Sequence, residues 1–359
     1  MKKKEYDILT FGSITLDIFL LPEDKDVQIL ERGKVDFFCF PIGEKIKVGE
    51  VIRAPGGGAA NTSIGFAKMG LKTAIFGALG DDEEAHLIKK KLQKFKIDTS
   101  FLTRERDAYS NLSIIFMAPD GKRTVFHSRQ TNTKVCPHSL RNVPRTKAIY
   151  VSHLYGAAEK LLFEIPEWKK RTGGLVAWNP GKTQFEKGFS AFKKVFPCID
   201  LLILNTEEAE RFTGLKARKV SLPLPQKKRE GKLGKKVTVG SEFRTNEVYD
   251  VRALADKFLH AGVLNVVITD GAQGVQLFSK EGIHFWCPSP NIKVKSTLGA
   301  GDAFSVGVVT AFLRGELPEN QVKWGTLNAA SVIQKFGAQE GLMTEKQITR
   351  LRDDKTTRK

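Results

Sequence analysis

Short apolar segments alternate with helical segments along most of this 359-residue chain, and this alternation restricts its fold more than any other feature. The run TAIFGALGDDEEAHLIKKKLQKFKIDTSFL, for example, has the pattern of a strand, a Gly-Asp turn, an amphipathic helix and a second strand. Further strand-like segments lie at 6–11, 148–152, 174–178, 201–204 and 263–269. Parallel strands joined by helices form a doubly wound sheet. The sequence therefore predicts an α/β fold with a mostly parallel sheet flanked by helices.

A glycine-rich turn precedes a strongly apolar predicted helix in the stretch KVKSTLGAGDAFSVGVVTAFLRG, at 293–315. Gly299, Ala300 and Gly301 have almost no side chain, so their backbone N–H groups can point together at an anion at the start of the helix. Asp302 follows at the edge of that pocket. A lone GxGD fits an ordinary strand-to-helix turn with a first-turn acid equally well.

A second glycine-rich stretch, PGGGAANTSIGFAKMG at 55–70, leads into another predicted helix. Glycines such as Gly57 and Gly58 allow a backbone to approach a ligand closely. An isolated GGG is more often a flexible turn, so the residues alone do not decide between the two interpretations.

Five motifs, GSITLD, GGGAAN, NTEE, TDGAQG and STLGAGD, occur in the order typical of the PfkB (ribokinase-like) carbohydrate kinases, which the chain resembles from Asp7 to about Leu342. The resemblance implies a ribokinase-like fold with a small β lid. It also implies an ATP-dependent, Mg²⁺-assisted kinase acting on a hydroxyl of a sugar or sugar-like molecule, with Asp302 as the base and 299–301 cradling the transferred phosphoryl group. The alternatives are a nucleoside kinase of the same fold and, in a different class, a non-catalytic sugar-binding or RNA-associated protein.

The resemblance assigns further site residues by their position in these motifs. The implied substrate contacts are Asp17, Gly57, Gly58 and Asn61. The implied ATP contacts are Asn205, Thr269, Gly271, Gly274, Asn328, Gly337 and Ala338. Asn205 and Glu208 would act on Mg²⁺ indirectly, through its waters.

Simpler interpretations exist for several of these residues. Asp17, which we place in a loop after the first strand, could be a surface turn acid. Asn205 and Glu208 have the spacing of a helix capping box. The glycines of TDGAQG could serve turn geometry alone. For a helix predicted at 324–336 and the turn after it, the resemblance implies contact with adenine.

We predict one kinase domain over 1–345, with lid strands within about 35–53 and 109–128. The second lid region has the pattern of a hairpin around Asp120-Gly121. A basic insertion is predicted at about 215–246 and a charged, fraying tail at 346–359.

The basic charge of the chain is unevenly distributed. Lys and Arg outnumber Asp and Glu by 58 to 40, a net charge of +18. The segment from Gly214 to Asn246 holds ten Lys or Arg against two Glu, which gives +8 of that total. Because Phe243 is its only aromatic residue, the segment offers little surface on which bases could stack. We therefore expect a solvated insertion that does not bind nucleic acid.

The cysteines and the hydropathy of the chain indicate where in the cell the protein is located. Cys39, Cys136, Cys198 and Cys287 are scattered without metal-ligand spacing, which favours a reducing cytoplasm over a disulfide framework or a zinc site. No apolar run reaches the ~18–20 residues of a membrane span, so we expect no membrane partner. The sequence leaves open whether the protein forms a homodimer.

One position departs from the pattern of the resembled family. Ser296 stands at the head of STLGAGD, where the family commonly has an acid that helps to hold a monovalent cation. We therefore expect K⁺ activation to be weak or absent.

Overall fold

A nine-stranded sheet forms the centre of the molecule in the computed structural model, which describes residues 5–23, 28–33, 35–118, 123–131, 139–221 and 247–353. In spatial order its strands are β17 (His284–Cys287), β16 (Val275–Ser279), β15 (Asn265–Thr269), β12 (Leu201–Asn205), β11 (Leu175–Trp178), β10 (Arg145–Val151), β1 (Glu5–Phe11), β6 (Thr73–Leu79) and β7 (Leu102–Arg104). The strands from β15 to β7 run parallel, and β16 and β17 are antiparallel. The predicted mostly parallel sheet is confirmed.

Helices cover both faces of this sheet. They are α1 (Gly58–Lys68), α2 (Glu83–Lys94), α3 (Lys160–Thr172), α4 (Lys182–Lys187), α5 (Thr206–Thr213), α6 (Arg252–His260), α7 (Ala300–Leu313), α8 (Pro318–Val332) and α9 (Glu345–Asp353). Leu202 and Leu204 of β12 pack in the cluster that holds α3, α5 and α6, whereas Leu201 and Ile203 pack with α7 and α8. Alternate strand residues point to opposite faces, so burial on both sides requires the continuous apolar runs seen in the sequence.

A smaller four-stranded sheet, here called the small sheet, has the order β5 (Val48–Gly56), β2 (Thr15–Pro22), β8 (Asn111–Met117) and β9 (Arg123–Ser128). Two hairpins stand apart from it, β3 (Gln28–Arg32) with β4 (Val35–Cys39) and β13 (Arg218–Ser221) with β14 (Glu247–Asp250). Strands are therefore present within both predicted lid regions, 35–53 and 109–128, but β4 of the first region pairs with β3 outside the small sheet. The predicted Asp120-Gly121 turn lies outside the described residues.

The main error in our prediction of the small sheet concerns its inner strand β2, which pairs with both β5 and β8. We placed Asp17 in a loop, but it lies in the middle of β2. A buried acid breaks the apolar alternation that marks a strand, so the local pattern did not reveal this element.

The helix predicted at 324–336 is present, but both of its predicted ends were wrong: α8 spans Pro318–Val332. Proline suits the first helical position, where its missing N–H leaves no hydrogen bond unmade. Beyond α8 the chain turns, and Gly337 adopts a φ of 91°.

The predicted loop and tail were also partly wrong. Residues 218–221 of the predicted insertion form a strand, whereas 222–246 lie outside the described residues. The predicted tail is helical as far as Asp353, because the fully buried Ile348 anchors α9 to the core. Residues 354–359 lie outside the described residues.

Among the helices of the described residues, none combines the length and the apolar character that crossing a bilayer would require.

Candidate active site

The order of the parallel strands reverses between β1 and β10, which identifies a crevice at their carboxyl ends. After β1 the chain adds β6 and β7 on one side, and the later strands β10, β11, β12 and β15 add on the other. Ligands of doubly wound sheets bind at such a switch point. Ser13 follows β1 and Ser152 follows β10, and the N-terminus of α1 lies against both serines.

The turn before α7 has the geometry of an anion site. Gly299 caps the helix with a left-handed φ of 76°, and a Cβ at this position would lie 2.5 Å from Cβ of Ala338. Gly301, by contrast, faces open space, with no atom within 4 Å of where a Cβ would lie. The N–H of Ala300 donates to the Thr297 carbonyl oxygen at 3.3 Å. The helix thus begins with small residues, of which Gly301 leaves the space that an anion at a helix N-terminus requires.

Asp302 is the third residue of α7 and is held by α1. Its Oδ2 accepts a hydrogen bond from Nδ2 of Asn61 at 2.8 Å. Burial raises the pKa of Asp302 to about 6, the charge of Asp17 adds to the rise, and the Asn61 hydrogen bond opposes it. The structure therefore brings together three residues that the sequence assigned to one site.

Asp17 is buried and is not a surface turn acid. Its side chain is 7% exposed, and its Oδ1 accepts a hydrogen bond from Oγ1 of Thr15 at 2.7 Å. Burial raises the pKa of Asp17, and hydrogen bonds from Thr15 and Ser113 act in the opposite direction. A Cβ on Gly56 would collide with this carboxylate, so a glycine is needed beside Asp17, a contact that the sequence did not reveal.

The glycines at the start of α1 pack against the two serines of the crevice. Gly57 has a φ of 81°, and a Cβ there would lie 2.5 Å from the Ser13 carbonyl oxygen. The Gly58 N–H donates to Oγ of Ser13 at 3.2 Å, and a Cβ on Gly58 would meet Ser152. Ser13 and Ser152 were missed by sequence reasoning, although small polar residues directly after two buried strands were a usable signal.

Asn205 and Glu208 form the capping box of α5, which confirms the simpler interpretation of their spacing. Oδ1 of Asn205 accepts from the Glu208 N–H at 2.8 Å, and the Asn205 N–H donates to Glu208 Oε2 at 2.9 Å. Burial, reinforced by the charges of Glu207 and Asp302, raises the pKa of Glu208 to about 7 despite that hydrogen bond. In the part of the chain that the structure describes, no three His, Cys, Asp or Glu side chains form a metal cluster.

The TDGAQG residues lie beside this box. Thr269 is the register partner of Asn205 in the β12–β15 pair. Gly274, with a φ of 99°, packs so closely on the Cys287–Pro288 backbone that no side chain would fit. Gly271, with a φ of 52°, faces open space. Gly274 therefore serves backbone geometry, whereas Gly271 is accessible.

The residues expected to contact adenine have different surroundings. Asn328 is fully buried, its Nδ2 donates to the Ala303 carbonyl at 2.7 Å, and its Oδ1 accepts from the Met343 N–H at 2.9 Å. Its side chain ties α8 to α7, so any effect on a nucleotide would be indirect. Ala338 packs on Gly299, and the neighbouring Gly337 remains partly accessible.

Comparison with known proteins agrees with this geometry. The family model described as pfkB family carbohydrate kinase matches residues 32–345. An uncharacterized sugar kinase of Archaeoglobus fulgidus is 24% identical over 78% of this chain and 98% of its own length. A 5-dehydro-2-deoxygluconokinase of Bacillus licheniformis is 21% identical over 98% of this chain and 97% of its own.

A solved structure shows the same fold. Arabidopsis thaliana ribokinase, complexed with ribose and ATP, has a TM-score of 0.71 at 18% identity and covers 98% of this chain and 99% of its own. These matches favour sugar phosphorylation over the alternatives weighed from the sequence. The family match spans most of the chain, and the protein belongs to the PfkB family of carbohydrate kinases.

Proposed function

We propose that residues 1–345 act as one ATP-dependent kinase domain that transfers the γ-phosphoryl group to a hydroxyl of a sugar or sugar-like molecule, with Asp302 as the general base. The observation that carries this proposal is the position of Asp302, directly after the Gly299–Gly301 turn, in which Gly301 faces open space, and hydrogen-bonded by Asn61. A carboxylate with a pKa near 6 is ionised at neutral pH and basic enough to take a hydroxyl proton.

Two sets of groups at the N-terminus of α7 would have different roles in the reaction. Asp302 accepts the proton of the attacking hydroxyl, while the N–H groups at 299–301 donate hydrogen bonds to the phosphoryl oxygens as their charge develops. The small sheet, whose β2 carries Asp17, supplies the proposed lid that excludes water from the crevice.

The residues near Asp302 fit a divalent cation that arrives with ATP. Burial is the main cause that raises the pKa of Glu208 to about 7, and the charges of Glu207 and Asp302 add to the rise, so these carboxylates give the site a negative potential. Mg²⁺ would relieve that potential and neutralise phosphate charge. Asn205 and Glu208 would hold it through waters, since the described residues contain no all-protein cluster.

We further propose how the two substrates divide the crevice. Asp17, Asn61 and the backbone at Gly57 and Gly58 would hold the sugar hydroxyls. The nucleotide would lie along Asn205, Thr269, Gly271 and Gly337, because Asn205 and Thr269 are paired at the carboxyl ends of β12 and β15, and Gly271 and Gly337 lie in the turns after β15 and α8. Gly274 and Ala338 would shape this surface through their packing, and Asn328 would support it from behind.

The proposal is tested by measuring ATP consumption with a panel of acceptors: ribose, fructose, 5-dehydro-2-deoxygluconate and purine nucleosides. We expect at least one sugar to support turnover that depends on Mg²⁺ and to yield a phosphorylated sugar by mass spectrometry. Turnover with nucleosides alone would favour the nucleoside-kinase alternative. Binding of a sugar without any ATP consumption across the panel would contradict the proposal.

We also propose a cellular location and a homodimer. Cys39, Cys198 and Cys287 are free thiols in the structure, which supports a cytoplasmic, reducing location. A homodimer would be tested by light scattering at micromolar concentration.

A further inference from the structure

A buried chain of hydrogen bonds leads from the backbone of β5 to Asp302. Nε2 of Gln339 donates to the Pro55 carbonyl oxygen and, at 3.1 Å, to Oδ1 of Asn61. Nδ2 of Asn61 then donates to Oδ2 of Asp302 at 2.8 Å. Gln339 and Asn61 are 8% and 6% exposed, so water competes little for either amide.

The Pro55 carbonyl fixes the direction of every bond in this chain. A carbonyl oxygen can only accept, so the Gln339 atom that faces it must be the nitrogen. The same nitrogen also faces Asn61, which must therefore present its oxygen to Gln339 and its nitrogen to Asp302. Reversing the Asn61 amide would instead place an oxygen against the carboxylate, where two acceptors repel each other.

The turn that carries Gln339 also supports the anion site. Ala338, the preceding residue, packs directly against Gly299. A single turn after α8 thus contacts both the residue that caps the anion site and the side chain that holds the base. The position of this turn relative to Asp302 is therefore set by the packing of Ala338 on Gly299 as well as by the Gln339 side-chain amide.

We propose that Gln339 is a positioning residue for phosphoryl transfer: it orients the Asn61 amide so that its N–H₂ group faces Asp302 and keeps the carboxylate ionised and aimed at the acceptor hydroxyl. This inference rests on the proposed function, because it assigns Gln339 a role in the same reaction. Gln339 is linked to Asp302 through Asn61, and its other hydrogen bond goes to the Pro55 carbonyl.

The first test replaces Gln339 with Met, which keeps the length and removes the donor. We expect kcat at pH 6 to fall about tenfold, the order of a misplaced catalytic group, with KM for ATP nearly unchanged. Loss of the oriented amide should also move the acidic limb of the kcat profile upward by about half to one pH unit, since that hydrogen bond favours the charged carboxylate. Gln334→Met is the matched control, because Nε2 of Gln334 donates to the Ala330 carbonyl, away from Asp302.

A double-mutant cycle separates positioning from general support of the fold. In an Asn61→Ala background, Gln339→Met should cost kcat less than twofold, because the partner through which it acts is gone. If Gln339→Met fails to fold, Gln339→Leu, which also lacks a donor and carries no charge, takes its place in the cycle.

The outcomes are distinguishable from failure of the proposed function. A wild-type protein that phosphorylates no sugar or nucleoside contradicts the proposed function itself. A wild-type kinase whose folded Gln339 variants keep the wild-type kcat and acidic limb overturns this inference. An equal fall in kcat at every pH that persists without Asn61 also overturns it, since that pattern indicates a structural role.

Discussion

Asp302 is the residue whose chemistry the reaction would depend on most. We expect Asp302→Asn to lower kcat by about 10²–10⁴-fold, the usual contribution of a general base, because the amide cannot accept the hydroxyl proton. The substitution preserves shape, so ATP affinity measured by calorimetry should change little. Wild-type turnover with the best acceptor would exclude Asp302 as the base.

The ionisation of Asp302 also predicts a pH dependence. Because burial raises its pKa to about 6, the base is ionised above that pH and is lost as the pH falls through it. We expect kcat/KM to decline tenfold per pH unit below about 6. Glu208, with a pKa near 7, could add a second acidic limb to the pH profile of kcat/KM. Glu208→Gln serves as the control that removes this second limb. A limb near pH 4 that persists in this control would contradict the assignment.

Two glycines of the same turn should respond in opposite ways. At Gly301 there is open space for a methyl group, so Gly301→Ala should leave stability unchanged or raise it by about 0.5–1 kcal/mol while lowering kcat through crowding of the phosphoryl site. At Gly299 the φ of 76° and the contact with Ala338 make Gly299→Ala destabilising by about 2 kcal/mol or more. Thermal melts and turnover of both variants check the pair. Destabilisation by Gly301→Ala, or unimpaired turnover, would count against an anion site.

At the scale of elements, the segment from β17 to α7 determines whether a monovalent cation has a binding site. Ser296 is 1% exposed, its N–H donates to the Ile333 carbonyl at 3.2 Å, and its Oγ accepts from the Leu298 N–H at 3.3 Å. The hydroxyl is thus engaged in holding the segment and supplies no net charge.

We therefore expect K⁺ to stimulate turnover weakly or not at all, because a hydroxyl offsets the lost hydration of a cation less than a carboxylate does. The measurement replaces K⁺ with a large inert cation at constant ionic strength, in the wild type and in Ser296→Asp. Dependence gained only by the Asp variant would support this reasoning, whereas strong dependence in the wild type would refute it.

At the scale of the whole molecule, we expect the basic segment at 222–246 and the kinase site to be separable. Ser221 of β13 and Glu247 of β14 are register partners in an antiparallel pair, so their backbones already lie side by side. A two-residue turn can join strands in this arrangement.

We expect a variant in which Asn-Gly replaces 222–246 to fold and to keep kcat within about twofold, because β13 and β14 lie outside the nine-stranded sheet. Any retention of RNA by the full chain should be lost in this variant and should fall steeply with salt. A folded variant without kinase activity would show that the segment belongs to the catalytic unit.

Local sequence patterns determined the class of fold and the position of the candidate catalytic turn. The apolar runs of the parallel strands are continuous because both faces are buried, and the small residues at 299–301 are needed wherever a backbone must meet an anion. Both signals arise within a few residues of the chain, so periodicity and composition are enough to detect them.

Tertiary structure alone decided which side chains meet. Asp302 and Asn61 are 241 residues apart, and Asn61 and Gln339 are 278 apart, so no local pattern records their hydrogen bonds. Asp17 was assigned to a loop because its burial depends on the neighbouring strand β5 and on Gly56, not on its own segment. A side-chain contact between distant elements exists only once their packing fixes the distance between them, and that packing is a property of the whole chain.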